Sequence, residues 1–386
     1  MSQGKQKLSL TMIVKDEENC INRCLDSVKD LVDEIIIVDT GSVDRTIEIC
    51  RSYNAQVFSY PWNNNFADAR NFGLDKVTGE WILWLDADEE VGQEDRSQII
   101  NPLLFEDYDA FSVPLINFFG DQVDLDNVAQ IAQPRIFRNH KGFRFENKIH
   151  EWLNLSTSYE QERVGFIDLK IYHYGYMNVR IEDKQKYQRN VNLLLEELKE
   201  DKDHAWTHYY LATEYYRRRE FKESFEEVNQ SIVLFLKQGV IPPPSMLYSL
   251  KYSILIETGS WEGAWPSIQS AVKMFPDYVD LNFYMGVILY YKKMVHEALK
   301  SFEECIDLGE NNLNYLSLKG LGSFRAWYYK GLCLEELTRD EEAALAYLKA
   351  AKLSNSFTHA SEALVKLINK HPNISINDIK NRFGLR

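Results

Sequence analysis

The stretch WILWLDADEE, residues 81–90, runs five apolar residues straight into carboxylates. A short unbroken apolar run bounded by polar residues is the pattern of a strand covered on both faces. Read as extended chain, Asp86 and Asp88 project to the same side with Ala87 between them. Two carboxylates so placed repel each other unless a cation lies between or beside them. Hard oxygen ligands of this kind suit Mg2+ or Mn2+, and such an ion usually completes its shell with water and substrate phosphates. The bland alternative is a core strand that ends in an acidic surface turn. A calcium loop of the EF-hand type does not fit, because the sixth residue from Asp86 is Val91 and the twelfth is Ser97, where glycine and glutamate are needed.

The surroundings of this stretch favour a site. LSLTMIV (8–14), EIIIVDT (34–40) and AQVFSY (55–60) are β-rich runs, each followed by a helical pattern, and FADARNFGLDKV (66–77) supplies the helix before WILWLDAD. Alternation of this kind predicts an α/β domain with a mainly parallel sheet. Ligands of such sheets bind beyond the carboxyl ends of the strands, and Asp39, Thr40, Asp86 and Asp88 all fall at such ends. Ser42, with Asp44 after it, is placed to cap the helix that follows the second strand.

The chain has 386 residues, enough for two domains. Its formal charge of −14 argues against a general nucleic-acid binder, whose affinity comes from Lys and Arg neutralising phosphates. Five scattered cysteines do not make a disulfide framework. Cys20 and Cys24 fall with Ile21, Leu25 and Val28 on one helix face, which reads as packing and not as half of a zinc site. No apolar run reaches signal-peptide or membrane-span length, so the expectation is a cytoplasmic protein without a membrane span.

From about residue 180 the β pattern gives way to helices that repeat. Ala212, Tyr252, Gly286 and Gly331 share one position; Ser224, Ala264, Ala298 and Ala343 lie 12 residues further on in each unit. Val228, Ile268, Phe302 and Tyr347 follow after four more, then Ser231, Ala271, Cys305 and Ala350 after another three. The intervals between units are 40, 34 and 45 residues, and KQGVIPPPS (237–245) is an evident loop in the first. The pattern resembles the tetratricopeptide repeat, in which small residues let paired helices approach closely. The expected division is therefore 1–180 and 181–386. A repeat array of this type offers a concave surface for a peptide, or a surface for a homodimer. The aromatic residues of the array, Tyr209, Tyr210, Tyr290, Tyr291 and Tyr328 among them, read first as its core.

MIVKDEENCINRCLDSV (12–28), EIIIVDTGSVDRT (34–46), FADARN (66–71) and WILWLDADEE, continued by RIFRN (135–139) and FRFENKIHEW (143–152), resemble family-2 glycosyltransferases of the GT-A fold, in the branch that carries tetratricopeptide repeats. The resemblance implies a UDP-sugar donor and a Mg2+ or Mn2+ ion. It implies that Ile13, Asp39 and Thr40 line the nucleoside pocket and that Arg70 lies near the nucleotide. Asp88 would bind the metal directly, and Asp86 the metal or the ribose. In KIHEW, His150 would serve the metal or the diphosphate and Glu151 would deprotonate the acceptor, the two roles being exchangeable. His173 in YHYGY, Lys184 and Arg189 would close over the diphosphate, with Arg135 and Arg138 as further basic candidates. The reaction implied is a single inverting displacement. Its acceptor is read first as a Cys or Ser side chain of a ribosomal peptide, as in the transferases that make glycosylated bacteriocins. The alternatives are a cell-surface saccharide or lipooligosaccharide and, further off, a non-catalytic repeat scaffold.

Overall fold

The computed structural model describes residues 7–93, 99, 103, 107–155, 163–177 and 184–372, with side chains from residue 187 onward in the last segment. The chain forms two compact units, Met1–Val123 with Ile131–Glu196, and Asp124–Gln130 with Glu197–Arg386. The boundary expected at residue 180 thus compares with one at Glu196/Glu197, inside the helix Lys184–Glu200. The short piece Asp124–Gln130 belongs to the second unit, which no compositional shift in the sequence announces.

In the first unit, β1 (Leu8–Val14), β2 (Glu34–Asp39), β3 (Gln56–Ser59) and β4 (Trp81–Trp84) are joined through α1 (Ile21–Val28), α2 (Thr46–Ser52) and α3 (Phe66–Leu74). β5 (Glu89–Val91), β6 (Ala110–Phe118), β7 (Val128–Arg138), β10 (Val164–Phe166) and β11 (Ile171–His173) extend the sheet, and β8 (Phe145–Glu146) pairs with β9 (Trp152–Leu153) apart from it. The strand order is β3-β2-β1-β4-β7-β6-β11-β5. β3, β2, β1 and β4 are parallel, whereas β4 pairs antiparallel with β7 and β11 antiparallel with β5. The sheet is therefore mixed. Trp81, Ile82 and Leu83 are all buried, as a strand covered on both faces requires. One face packs Leu10 and Met12 against Leu25 and Val28 of α1; the other packs Ile36 and Ile82 against Ala67 and Leu74 of α3. Val14 lies beside Asp39 and Thr11 beside Trp84, so the ends of β1, β2 and β4 reach one edge. β1 is also where the order turns back, the switch point at which such sheets bind ligands.

α4 (Lys184–Glu200) crosses the boundary, and the second unit goes on in helix pairs α5 (Ala205–Arg217) with α6 (Phe221–Lys237), α10 (Val279–Tyr291) with α11 (Val295–Leu308), and α12 (Phe324–Glu336) with α13 (Asp340–Leu353). Between the first two of these pairs, α7 (Ser245–Glu257) is paired with a helix split into α8 (Trp261–Ala264) and α9 (Ile268–Met274). The split falls at Trp265-Pro266, where proline withholds the N–H a continuous helix needs. α14 (Thr358–Lys370) follows. The repeat positions meet as their sizes require. A Cβ on Gly286 would come 2.8 Å from the Phe302 ring, and one on Gly331 would press on the Tyr347 ring. Ser231 donates to the Ala205 carbonyl and Cys305 to that of Val279, the same 26-residue reach in two units. The 45-residue interval holds the loop before α12, in which β12 (Ser317–Leu318) pairs with Gln130 and Ala129. Tyr209, Tyr290, Tyr328 and Tyr329 pack in or against the helical core, while Tyr291 is half exposed and stacks on Trp261. Among the described residues no helix is long and apolar enough to cross a membrane.

Candidate active site at the strand ends

The acidic stretch leaves the sheet sooner than expected. β4 ends at Trp84, and Asp86 and Asp88 belong to a turn, not to a strand with both carboxylates on one side. Their surroundings differ accordingly. Asp86 Oδ1 accepts from Arg70 Nη2 at 2.6 Å, and its own N–H donates to Glu89 Oε2 at 2.9 Å. The cation beside this carboxylate is thus a guanidinium. Burial alone would push the Asp86 carboxyl up; Arg70 first, then Arg135 and His173, hold it down at about 2.

Arg70 is no surface residue. Its side chain is 7% exposed, its Nε donates to Glu151 Oε1 at 2.5 Å, and its guanidinium lies 4.7 Å from the Trp84 ring centre. Arg135 also approaches the Trp84 ring, to 3.8 Å from its centre, and grips Glu89 with two hydrogen bonds of 2.9 and 2.7 Å. Burial pushes the Glu89 carboxyl up to about 7 against the pull of Arg135. Arg135 is therefore committed to a buried pair. Arg138 lies beside Trp81, at the opposite end of β4 from the acidic turn, and donates to the Tyr108 carbonyl. Neither arginine is placed to close over a diphosphate.

Next to Arg70 on α3, Asn71 bonds both ways with the backbone of Phe145, which fixes β8 and the chain that follows it. That chain turns at His150, whose φ is +53°, and so carries Glu151 to Arg70. His150 and Glu151 thus lie between β8 and β9, outside any strand. Glu151 is 11% exposed in its side chain, and among the described residues only its Oε1 is engaged.

Asp88 is buried and faces His173, whose Nε2 lies 3.6 Å from Asp88 Oδ1. The sheet explains the meeting: β11 pairs with β5 so that His173 lies opposite Glu89, and Tyr174 N–H donates to the Asp88 carbonyl. Gly175 completes the arrangement. A Cβ there would fall against His173 Nε2 and 2.8 Å from Asp88 Oδ2. Gly175 thus packs directly against both side chains, where any larger residue would press on them. Among the described residues no three His, Cys, Asp or Glu side chains gather as a metal cage, so Asp86, Asp88 and His150 do not form one together. The donor set of Asp88 and His173, one carboxylate and one imidazole, fits an ion that draws its other ligands from water and phosphate.

At the ends of β1 and β2, Asp39 accepts from Gly41 and Ser42 N–H and so shapes its own turn, while Thr40 donates its hydroxyl to the Val14 carbonyl. α2 begins at Thr46, not after Ser42. Ser42, Thr46 and Asp44 instead accept from the N–H groups of Asp16, Glu17 and Glu18, and Asp16 and Glu18 return two bonds to Val43 and Arg45. These five bonds clasp the first two strand-to-helix loops together. Ile13, Thr11, Met12, Arg70, Trp84 and Phe145 line a small recess beside β1. Arg189, on α4, is exposed and lies 5.3 Å from the ring of Phe66, the first residue of α3. The side chain of Lys184 lies outside the described residues.

A mixed α/β sheet with an acidic turn, a histidine and a buried arginine at its strand ends, followed by helical repeats, defines a glycosyltransferase-like chain of the GT-A type. Residues 9–166, which build most of the sheet, match the profile of Glycosyl transferase family 2. The chain is 32% identical over 256 residues to a TPR repeat-containing protein of Synechococcus elongatus, covering 65% of this chain and 61% of that one. It is 26% identical over 284 residues to the SPbeta prophage-derived glycosyltransferase SunS of Bacillus subtilis, covering 72% and 65%. An uncharacterized glycosyltransferase of Rickettsia prowazekii is 28% identical over 188 residues, covering 44% and 61%. The chain spans between 61% and 65% of the length of these curated relatives.

The sequence pointed to Arg70, Asp86, Asp88, Glu151 and His173, and the structure brings them into one neighbourhood in two groups. It did not single out Asn117 or Gly175. Asn117 had one signal, a polar residue inside the apolar strand AFSVPLINF.

Proposed function

We propose that the protein transfers a hexose from a UDP-sugar, UDP-glucose in the first instance, to a Cys or Ser side chain of a peptide, with inversion and with help from Mg2+ or Mn2+. The observation that carries the reading is the Asp88–His173–Gly175 arrangement at the end of a family-2 sheet. The peptide acceptor rests on the resemblance to the bacteriocin-modifying transferases and on the repeat array.

In this reading Ile13, Asp39 and Thr40 hold the nucleoside at the end of β1 and β2, and the clasped loops keep that pocket in shape before the donor arrives. Asp88 and His173 hold the ion, with Asp86 turned to its waters or to the ribose. When bound, the ion offsets the negative charge that grows on the departing diphosphate. Arg70 pins Asp86 and Glu151 at a fixed separation, which places the acceptor relative to the sugar. Its hold on Oε1 leaves Glu151 Oε2 to take the acceptor's proton. His150 and Arg189 contribute charge at the diphosphate. A thiol acceptor makes light demands on the base, since its pKa of about 8.5 is far below that of an alcohol.

Intact-mass spectrometry tests the reading: the protein, Mn2+ or Mg2+ and UDP-glucose are incubated with cysteine- and serine-containing peptides encoded beside the gene and with simple saccharides. A gain of one hexose on a peptide, lost when its cysteine becomes alanine, is the expected result. Transfer to saccharides alone would replace the peptide acceptor with a cell-surface glycan.

A further inference from the structure

Asn117 is the one polar side chain in the buried stretch Val113–Phe118, at 4% exposure. Burying an amide costs free energy unless its groups are bonded, and a leucine or valine would fill such a strand position without that cost. Its partner explains the choice. β6 and β11 run parallel with Asn117 directly opposite His173, and Asn117 Oδ1 lies 2.8 Å from His173 Nδ1. A side-chain carbonyl only accepts, so the shared proton sits on Nδ1, and a neutral imidazole then carries its lone pair on Nε2. That nitrogen is the one that faces Asp88.

We propose that Asn117 is a positioning residue for the metal site, fixing His173 in its Nδ1–H form so that the Nε2 lone pair faces the Asp88 carboxylate, 3.6 Å away, and one ion can take both. The role rests on the metal reading above. A lone pair turned toward a carboxylate is unfavourable by itself, and a cation between them relieves it. The opposite arrangement would have the Asn117 amide donate to Nδ1 and Nε2–H donate to Asp88. At 3.6 Å that second contact is beyond hydrogen-bond range. Outer partners of a ligating histidine commonly set both its tautomer and its basicity.

The test uses the full chain without sugar nucleotide. Mn2+ affinity is read from the electron paramagnetic resonance signal of the free ion, for the parent protein, Asn117→Asp and Asn117→Leu. The ring nitrogen shifts of His173 are read by NMR in the metal-free parent. Asn117→Leu is expected to weaken Mn2+ binding by about 10- to 100-fold, the usual cost of losing such a partner. Asn117→Asp, which still accepts from Nδ1, is expected to hold the affinity or raise it, and the metal-free ring to be protonated at Nδ1. A leucine variant that binds like the parent, an aspartate variant that loses as much as the leucine one, or a proton on Nε2 would each overturn the proposal. A parent protein that binds no Mn2+ would overturn the metal reading as well, and the nitrogen shifts tell the two failures apart, because the tautomer would stand without the ion.

Discussion

Arg70 and Asp86 form a 2.6 Å ion pair in which the arginine side chain is almost wholly enclosed, and the same guanidinium holds Glu151. One cation therefore sets the distance between the acidic turn after β4 and the loop before β9. Replacing it with alanine leaves two carboxylates without their partner; breaking a fully buried pair costs about 3–5 kcal/mol, and the loss here is smaller because the Asp86 side chain is 36% exposed. Arg70→Ala is expected to lower the urea midpoint accordingly. Arg70→Lys, which keeps the charge but not the forked geometry, should recover part of the stability and little of the transfer rate.

Gly175 tests the site without replacing a proposed ligand. Its backbone is not in the left-handed region, yet an added methyl meets His173 Nε2 and Asp88 Oδ2. Gly175→Ala is expected to cost about 1–3 kcal/mol, as overpacking does, and to bind Mn2+ at least about tenfold more weakly, because both side chains must move. Titration calorimetry with Mn2+ measures it.

Glu151→Gln removes the base but keeps a group for Arg70 to donate to. General bases contribute about 10²–10⁴-fold, and a thiol needs less help than an alcohol. The loss in kcat should be larger for a serine peptide than for the same peptide with cysteine. Equal losses on both would assign Glu151 to positioning instead.

The second unit carries its own pH dependence. Asp280, on α10, is buried; Leu318 N–H donates to its Oδ2, and its Oδ1 has no hydrogen-bond partner among the described residues. Burial pushes its carboxyl up to about 8, far above the unfolded value of about 3.9. The folded state then holds a proton that the unfolded state has lost. This stability is fully present below pH ~4 and falls as pH rises toward ~8, by at most about 1.4 kcal/mol per pH unit. Asp280→Asn should flatten that slope and raise the melting temperature at pH 8, as scanning calorimetry of the full chain would show.

Gly331→Ala should destabilise the array by about 1–3 kcal/mol, the usual cost of overpacking, because the new methyl meets the Tyr347 ring. Combining it with Tyr347→Leu should cost less than the two single changes summed, which a double-mutant cycle in urea would record.

Much of this was legible in the residues. The apolar period of β1, β2 and β4 and the small residues at fixed repeat offsets report local packing, and local packing is what a sequence displays. The failures share a cause. The early exit of the chain at Trp84, the turn at His150 and the sealing of Arg70 all depend on partners brought from elsewhere. His173 finds Asn117 only because two strands 56 residues apart lie in register. Ser42, an apparent helix cap, was claimed by the loop after β1. Nothing in the composition of Asp124–Gln130 marks it for the second unit.

That small segment has a practical consequence for anyone dividing the gene. The polypeptide passes between its two units three times, at 123/124, 130/131 and 196/197. A stop codon after Glu196 would leave Val128–Gln130 as a bare strand edge, and a clone beginning at Glu197 would lack the residues that β12 pairs with. The sheet unit and its repeats are spliced, not strung, and a swap of repeat arrays between relatives must carry two pieces of DNA.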